Sequence, residues 1–366
     1  MFIDHRGSLE SIDCPFHVKQ ILVSRNYKGT LKGLHKSPYR KKVYVSKGAL
    51  YDFFSDGTET TEIILKQGES VEVPAFCWHG YKCIEDSEVI YFLEGVYDPE
   101  VDEKAYWKSP EFTFTFDFSG NHIISDSDVN AYWAKKYKYF IIGNGFLGNQ
   151  FKKYFPESWI SSKRLDDPEL FKDIEKSRCE AVICAAGVRG KPTIDWCETH
   201  EYETFKINFL DTVKFFETCK KPIVYFGSGM VYSTPGTYTE SDPCQHDGKV
   251  YSKWRIRLEE VIQWYDHVTY LRIMYPMSLD GHPQCFSEKM RERHPHNIEV
   301  PVTIIPILFP QIPKLIGNHG IFNFVNKDPI HLIKLSQKEP IDGDSRGFYI
   351  LDASKIKDLG VSIHNV

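Results

Sequence analysis

From Val18 to Leu93 apolar and polar positions alternate in short runs with no helical period. Gln20–Ser24, Lys42–Val45, Ala49–Phe54, Thr61–Leu65, Ser70–Val73 and Ser87–Leu93 are rich in β-branched and aromatic residues, and Tyr27-Lys-Gly29, Lys47-Gly48, Asp56-Gly57 and Gln67-Gly68 read as turns between them. Short strands at this spacing predict an all-β sandwich or barrel. A closed barrel with a mouth holds a small ligand. After a polar, mixed stretch from Phe116 to Lys138 the pattern changes. Strand-like Tyr139–Ile142, Ser158–Ser161, Glu180–Gly187 and Pro222–Gly227 alternate with helix-like segments over Asp167–Lys176, Glu203–Cys219 and Ser252–Tyr265. That alternation predicts βαβ units on a parallel sheet. The boundary is expected near residue 136, dividing the chain into domains 1–135 and 136–366.

The second region opens on the strongest local signal. Tyr139–Ile142 runs into Gly143-Asn-Gly-Phe-Leu-Gly148, and Phe151, Tyr154 and Phe155 follow at a spacing that suits a short helix. Strand, G-x-G-x-x-G turn and helix together predict a dinucleotide-binding loop formed by Gly143, Gly145, Phe146, Leu147 and Gly148. A glycine turn without a ligand gives the same spacing, and the flanking strand and helix favour the binding loop. The helix N-terminus would offer free N–H groups to a pyrophosphate. Ser162, Lys163 and Arg164 end the next strand, where an acidic residue would bind a ribose 2′-hydroxyl. A basic cluster there suits a 2′-phosphate, so NADPH is expected over NADH; a solvated charged turn is the plainer alternative.

Composition narrows the rest. The 366 residues are 42% hydrophobic and 26% charged, ordinary for a soluble globular chain, and the formal charge of −5 argues against a nucleic-acid binder. Nine cysteines carry no metal-ligand spacing and suit free thiols in a reducing cytoplasm. Met1-Phe-Ile-Asp-His-Arg is no signal peptide. The apolar run Val302–Ile312 is broken by Pro306 and Pro310 and too short for a bilayer, so no membrane partner is expected.

His35, His79 and Asp52 stand out in the first region as polar groups among apolar neighbours. A lone histidine is more often a satisfied core residue than a catalyst. The motifs around these three decide the matter, because in order they resemble the cupin-fold nucleotide-sugar epimerases of the deoxyhexose 3,5-epimerase type. Gly29-Thr-Leu-Lys-Gly-Leu-His35 resembles G-x-L-R-G-L-H, Gly48-Ala-Leu-Tyr-Asp52 resembles G-x-x-x-D, and Val73-Pro-Ala-Phe-Cys-Trp-His-Gly80 resembles I-P-x-G-F-A-H-G. Tyr97-Asp-Pro-Glu100 resembles Y-x-P-E, and Asp4-His-Arg-Gly7 resembles D-x-R-G. The resemblance implies a jelly-roll barrel over roughly residues 2–130 and no metal. It makes His35 the base, with Asp128 orienting it, and Tyr97 the acid. Lys41 becomes the enolate-stabilising cation, His79 the second histidine and Asp52 its orienting partner. Arg6, Gln20, Ser24, Asn26 and Lys32 fall at substrate-binding positions, with Lys32 replacing an arginine and so weakening one bidentate anion contact. A homodimer through the cupin sheets is implied by the same resemblance.

The second region resembles the extended short-chain dehydrogenases/reductases, and within them the epimerase/4-keto-reductases of rhamnose-nucleotide synthesis. The run from Ala185-Ala-Gly-Val-Arg-Gly to Trp196-Cys-Glu-Thr-His200 carries this likeness. Ala185, Ala186, Gly187 and Asn208 match cofactor-site positions, and Ser228 matches the catalytic Ser/Thr. The family signature Y-x-x-x-K reads Tyr251-Ser-Lys-Trp-Arg255 here. Arg255 keeps a positive charge one helical turn from Tyr251 but does not readily release a proton, and Lys253 points to another side of the helix. The implied enzyme epimerises C3, or both C3 and C5, of a UDP- or dTDP-linked 4-keto-6-deoxyhexose, with a 2-acetamido sugar left open, then reduces C4 with NADPH. Two alternatives stay open at this point. One is a cupin epimerase or 3,4-ketoisomerase carrying an inactive reductase fold; the other is a nucleotide-sugar-binding scaffold without turnover.

Overall fold

The computed structural model describes residues 2–4, 7–9, 11–115, 120–190, 193–245, 248–340 and 349–364. The chain divides into two compact units, Met1–Lys136 and Tyr137–Val366.

The first unit is built on strands β1 (Phe2–Asp4), β2 (Gly7–Leu9), β3 (Gln20–Asn26), β4 (Leu31–Lys36), β5 (Lys41–Lys47), β6 (Ala49–Ser55), β7 (Thr60–Lys66), β8 (Ser70–Val73), β9 (Trp78–Cys83), β10 (Ser87–Leu93) and β11 (Glu103–Ala105). One sheet has the order β3-β10-β5-β8 and the other β11-β4-β9-β6-β7, with antiparallel pairing throughout, as a jelly roll requires. Alternation along β5 turns Lys41, Val43 and Val45 to the buried side. Val43 and Val45 meet Leu50, Tyr81 and Cys83 in the core between the sheets. The opposite face of the β4-β9-β6 sheet, carrying Leu31, Leu34, Phe53 and Trp78, is covered by Ala105, Trp107 and Phe112. Because both faces are covered, β4 and β9 lack the polar alternation of a half-exposed strand, and the sequence pattern did not mark them as strands. A short helix, α1 (Asp126–Val129), follows; Ser125 caps it by accepting from the Asp128 amide at 3.2 Å.

The second unit contains β12 (Tyr139–Ile142), α2 (Phe146–Tyr154), β13 (Trp159–Ser161), α3 (Pro168–Ser177), β14 (Ala181–Cys184), α4 (Trp196–Thr199), α5 (Glu201–Phe205), α6 (Asp211–Thr218), β15 (Ile223–Phe226), β16 (Gly236–Tyr238), α7 (Val250–Ile262), β17 (Val268–Arg272), β18 (Glu299–Val300) and β19 (Gly320–Asn323). Six parallel strands lie in the order β13-β12-β14-β15-β17-β19. Strands β12, β14, β15 and β17 are buried along their whole length, as central parallel strands are. The strand order reverses between β12 and β14, so their carboxyl ends open the crevice where such sheets take ligands. The single helix expected over Glu203–Cys219 is interrupted: α5 and α6 flank a π-helical turn at Lys206–Leu210. One extra residue is accommodated there, a feature that residue periodicity does not register. The strand expected over Glu180–Gly187 stops at Cys184, which leaves Ala185–Gly187 as a loop at the crevice. Among the described residues no helix is long and apolar enough to cross a membrane.

Candidate active sites

In the first unit, strand register brings the two sequence-predicted histidines together. His35 on β4 and His79 on β9 are direct cross-strand partners. Each is backed by a carboxylate through Nε2. His35 Nε2 lies 3.1 Å from Asp128 Oδ1, and His79 Nε2 lies 3.0 Å from Asp52 Oδ2. Asp128 reaches His35 because residue 33 is glycine: a Cβ there would come within 2.8 Å of the Asp128 carboxyl carbon. The Gly33 amide also donates to Asp128 Oδ2 at 3.1 Å. Burial by itself would raise the Asp128 pKa, but the His35 hydrogen bond and charge and the Gly33 amide outweigh it and hold the group down at about 2. His79 and Asp52 are both buried, and desolvation lowers the His79 pKa although Asp52 opposes this.

Lys41 is buried on the inward side of β5, in the other sheet, and desolvation brings its pKa down to about 8 against the pull of Asp102 and Asp52. Tyr97 is half exposed, and its amide donates to Gln20 Oε1 at 2.7 Å. Desolvation first, then Asp102 and Asp128, raise its phenol pKa and keep it protonated. The expected substrate residues Ser24 and Asn26 face each other, Ser24 Oγ donating to Asn26 Oδ1 at 3.1 Å. Lys32 is exposed, at the register shift that separates it from His35. Arg6 lies outside the described residues.

Two residues at this site were not singled out from sequence. Asp102, buried, accepts from Ser37 Oγ at 3.1 Å and is the strongest charge acting on Lys41. Its place two residues past Tyr97-Asp-Pro-Glu100 was the available signal. Tyr81 shares the His79 face by the two-residue strand period, and its hydroxyl accepts from Asn26 Nδ2 at 3.2 Å and from Tyr91 at 2.9 Å. Among the described residues no three His, Cys, Asp or Glu side chains gather as a metal site.

In the second unit the glycine turn stands at the carboxyl end of β12. The Gly143 amide donates to Ser161 O at 3.1 Å, and the Ala185 amide to Ile142 O at 2.8 Å. Gly143–Gly148 and Ala185–Gly187 therefore meet at the crevice. Gly145 precedes α2, no side chain among the described residues caps that helix, and a Cβ on Gly145 would meet nothing within 4 Å. Uncapped amides beside open space fit a dinucleotide pyrophosphate. Phe146 and Leu147 begin the helix. Asn208, buried in the π turn, grips the loop by accepting from Val188 N at 2.8 Å and donating to Val188 O at 2.7 Å.

At the second strand's end Ser162 is exposed, Lys163 is bound to Asp173 at 2.6 Å and Arg164 is 3.4 Å from Asp166. Ser228 is buried just past β15, where its Oγ accepts from the Met230 amide at 3.2 Å. Tyr251 and Arg255 are buried one turn apart on α7, with the guanidinium 5.2 Å from the Tyr251 ring centre. Of the run Ala185–His200, Lys191 and Pro192 lie outside the described residues.

Residues 5–135 match the family described as dTDP-4-dehydrorhamnose 3,5-epimerase. A bifunctional dTDP-4-dehydrorhamnose 3,5-epimerase/dTDP-4-dehydrorhamnose reductase of Arabidopsis thaliana is 28% identical over 222 residues, which cover 55% of this chain and 73% of that protein. A trifunctional UDP-glucose 4,6-dehydratase/UDP-4-keto-6-deoxy-D-glucose 3,5-epimerase/UDP-4-keto-L-rhamnose-reductase of the same plant is 29% identical over 211 residues, covering 52% of this chain and 32% of that protein. The match thus spans most of the bifunctional relative but about a third of the trifunctional one. Among solved structures, the UDP-rhamnose synthase of Acanthamoeba polyphaga mimivirus shares the fold over 63% of this chain and 90% of its own, with a TM-score of 0.50 and 20% identity. Residues 5–135, which hold the two carboxylate-backed histidines, thus match the dTDP-4-dehydrorhamnose 3,5-epimerase family and are followed by a Rossmann-type unit, an order similar to that of the epimerase/reductase relative.

Proposed function

We propose that the chain converts a nucleotide-linked 4-keto-6-deoxyhexose to a 6-deoxy-L-hexose nucleotide, by epimerisation in the first unit and C4 reduction in the second. The observation that carries this reading is the facing pair of dyads, His35–Asp128 and His79–Asp52, with Lys41 buried on the inward side of the other sheet. Protons on C3 and C5 of such a sugar are acidic because the C4 ketone stabilises the carbanion. Asp128 occupies His35 Nε2, which leaves Nδ1 as the basic nitrogen. His35 takes the proton, and the electron pair moves onto the C4 oxygen. Lys41, charged below a pKa of about 8, stabilises that oxygen, while Asp52 fixes the tautomer and orientation of His79. Tyr97, protonated, returns a proton to the opposite ring face and inverts the carbon.

In the second unit, bound NADPH supplies hydride to C4. Gly143–Gly148 and the α2 amides hold the pyrophosphate, and Ala185–Gly187 lines the neighbouring strand end. Tyr251 gives its phenolic proton to the new alkoxide, Ser228 orients the ketone oxygen, and Arg255 stabilises the phenolate that remains. Exposed Ser162 and Arg164 favour the 2′-phosphate, with Arg164 only 3.4 Å from Asp166 and Lys163 already paired with Asp173 at 2.6 Å. Epimerisation has to come first, since reduction removes the ketone that acidifies C3 and C5. Pairing of two copies through the cupin unit and a cytoplasmic location belong to the same reading.

Offering UDP- and dTDP-4-keto-6-deoxyglucose in D₂O, with and without NADPH or NADH, tests it. Deuterium entering C3 or C5 without cofactor, and oxidation of NADPH in preference to NADH only when sugar is present, are expected. Absence of both signals with both nucleotides rejects the enzymatic reading.

A further inference from the structure

The surroundings of Arg255 are shaped for an arginine. Its side chain is 4% exposed, and Nη1 donates to the hydroxyl of Tyr225 at 2.6 Å. Tyr225 is fully buried on β15. Thr212, on α6, donates to Ile207 O at 2.9 Å. Ile207 belongs to the π turn, and the five-residue reach from Thr212 to its carbonyl is the reach of that turn. The next residue is Asn208, which clamps both polar groups of Val188. The π turn thus holds the crevice loop, while the guanidinium is held from the sheet by Tyr225.

The other end of the guanidinium meets that loop directly. A Cβ on Gly187 would stand 2.9 Å from Arg255 Nη2 and 3.3 Å from Asn208 Oδ1. Only glycine leaves room for the cation there. Nε is buried without a partner among the described residues. The planar fork thus touches Tyr225 on one side and the Gly187 loop on the other, while lying against the Tyr251 ring at 5.2 Å. A lysine ammonium is a point charge on a flexible stem and cannot span both sides at once.

We infer that Tyr225 is a positioning residue that seats Arg255 as the cation of the reductase site, so that this arginine is an adapted replacement for lysine rather than the mark of a lost activity. The inference rests on the reductase half of the proposed function. It assigns the conformation of Arg255 to a phenol on the sheet, and makes Gly187 part of the same construction.

The test uses the full chain as wild type, Tyr225→Phe, Arg255→Lys and the double variant. Two quantities are read: the NADPH dissociation constant, by nucleotide fluorescence, and the rate of C4 reduction of an already epimerised 4-keto sugar across pH. Loss of one charge-assisted hydrogen bond corresponds to about tenfold to a hundredfold. Each single variant should weaken NADPH binding and slow reduction within that range, and Tyr225→Phe should also shift the pH profile. The double variant should be no worse than Arg255→Lys alone, because Tyr225 acts only through the arginine. If Tyr225→Phe fails to fold, Tyr225→Met takes its place, removing the same acceptor with a side chain that adapts to the core. Additive losses, or an Arg255→Lys variant as fast as wild type or faster, overturn the seat. Non-additive NADPH binding without reduction of any 4-keto sugar keeps the seat and rejects the reductase reading; reduction with additive losses does the reverse.

Discussion

His35 and His79 sit directly opposite one another on adjacent antiparallel strands, and their carboxylate partners approach from opposite sides: Asp128 from α1, Asp52 from β6 on the far side of β9. One cross-strand pair therefore carries two tautomer-fixed imidazoles into a single interior. Both hydrogen bonds occupy Nε2, so both Nδ1 atoms are left for a ligand. Exposure separates the two roles. The His35 side chain is 24% exposed and that of His79 is 4% exposed. A base has to exchange its proton with solvent, which suits His35; buried His79, its pKa lowered and its Nε2 proton held by Asp52, presents an acceptor nitrogen to the interior.

Replacing Asp128 by Asn tests the first dyad. The amide can present its NH₂ to His35 and reverse the tautomer, so deuterium exchange at the sugar should fall by about a hundredfold or more. The stability effect has a definite pH window. The folded pKa of about 2 lies below the ordinary value of 3.8, so the carboxylate stabilises the fold above about pH 4 and loses that contribution as pH falls toward 2. The displacement corresponds to about 2 kcal/mol. Urea midpoints of wild type and variant should therefore differ most near neutrality and converge toward pH 3. A constant gap across that range would mean the carboxylate charge is not what the fold uses.

Lys41 should set an upper pH limit on epimerisation. Its pKa of about 8 means the charged form, which stabilises the enolate, is lost as pH rises through that value. The sign for stability runs the other way. Between about 8 and 10.5 the unfolded chain holds more protons than the folded one, so this group's contribution to stability rises with pH. At neutral pH the buried charge costs about 3 kcal/mol. Lys41→Met should abolish exchange and yet unfold at a higher denaturant concentration than wild type at pH 7. An inactive variant that is also less stable would show that Lys41 is paired rather than strained.

Tyr97→Phe should separate proton removal from inversion. His35 still takes and returns a proton on one face, so deuterium enters the sugar, while the inverted product disappears. Mass and NMR analysis of the sugar after reaction in D₂O distinguishes the two. Full loss of exchange would place Tyr97 in proton removal as well.

Which features were legible in the sequence follows from which faces are wet. Strand β3 shows alternate burial along Gln20–Asn26 and could be read from its pattern. Strands β4 and β9, the two that carry the histidines, are covered on both faces and were located by motif alone. The dyad partners came from the same motifs, but Asp102 and Tyr81 are visible only once strand register and turn geometry place them. The basic cluster after β13 illustrates the reverse. Its composition is plain in Ser162-Lys-Arg164, while the pairing of Lys163 with Asp173, ten residues on, is a product of folding. The π turn and Tyr225 left no trace in the pattern, because a buried tyrosine in a parallel strand reads as one more apolar position.

Phe76 is the clearest case of a residue the backbone does not favour. It has φ of 61°, stands 65% exposed, and donates its amide to Ser37 O at 2.8 Å, at the position where the resembling motif has glycine. The left-handed conformation costs a non-glycine residue about 1–3 kcal/mol, while glycine adds about 0.4–1 kcal/mol of unfolded-state entropy. Phe76→Gly should therefore stabilise the first unit by about 1 kcal/mol, since the exposed ring gives up little burial. Phe76→Asn, whose side chain tolerates this region, should fall between the glycine variant and wild type, and β-branched Phe76→Val should lie below wild type. Calorimetry of the four full-length chains reads the order directly. A Phe76→Val chain that melts with wild type would mean the left-handed turn relaxes at no cost and stores no strain.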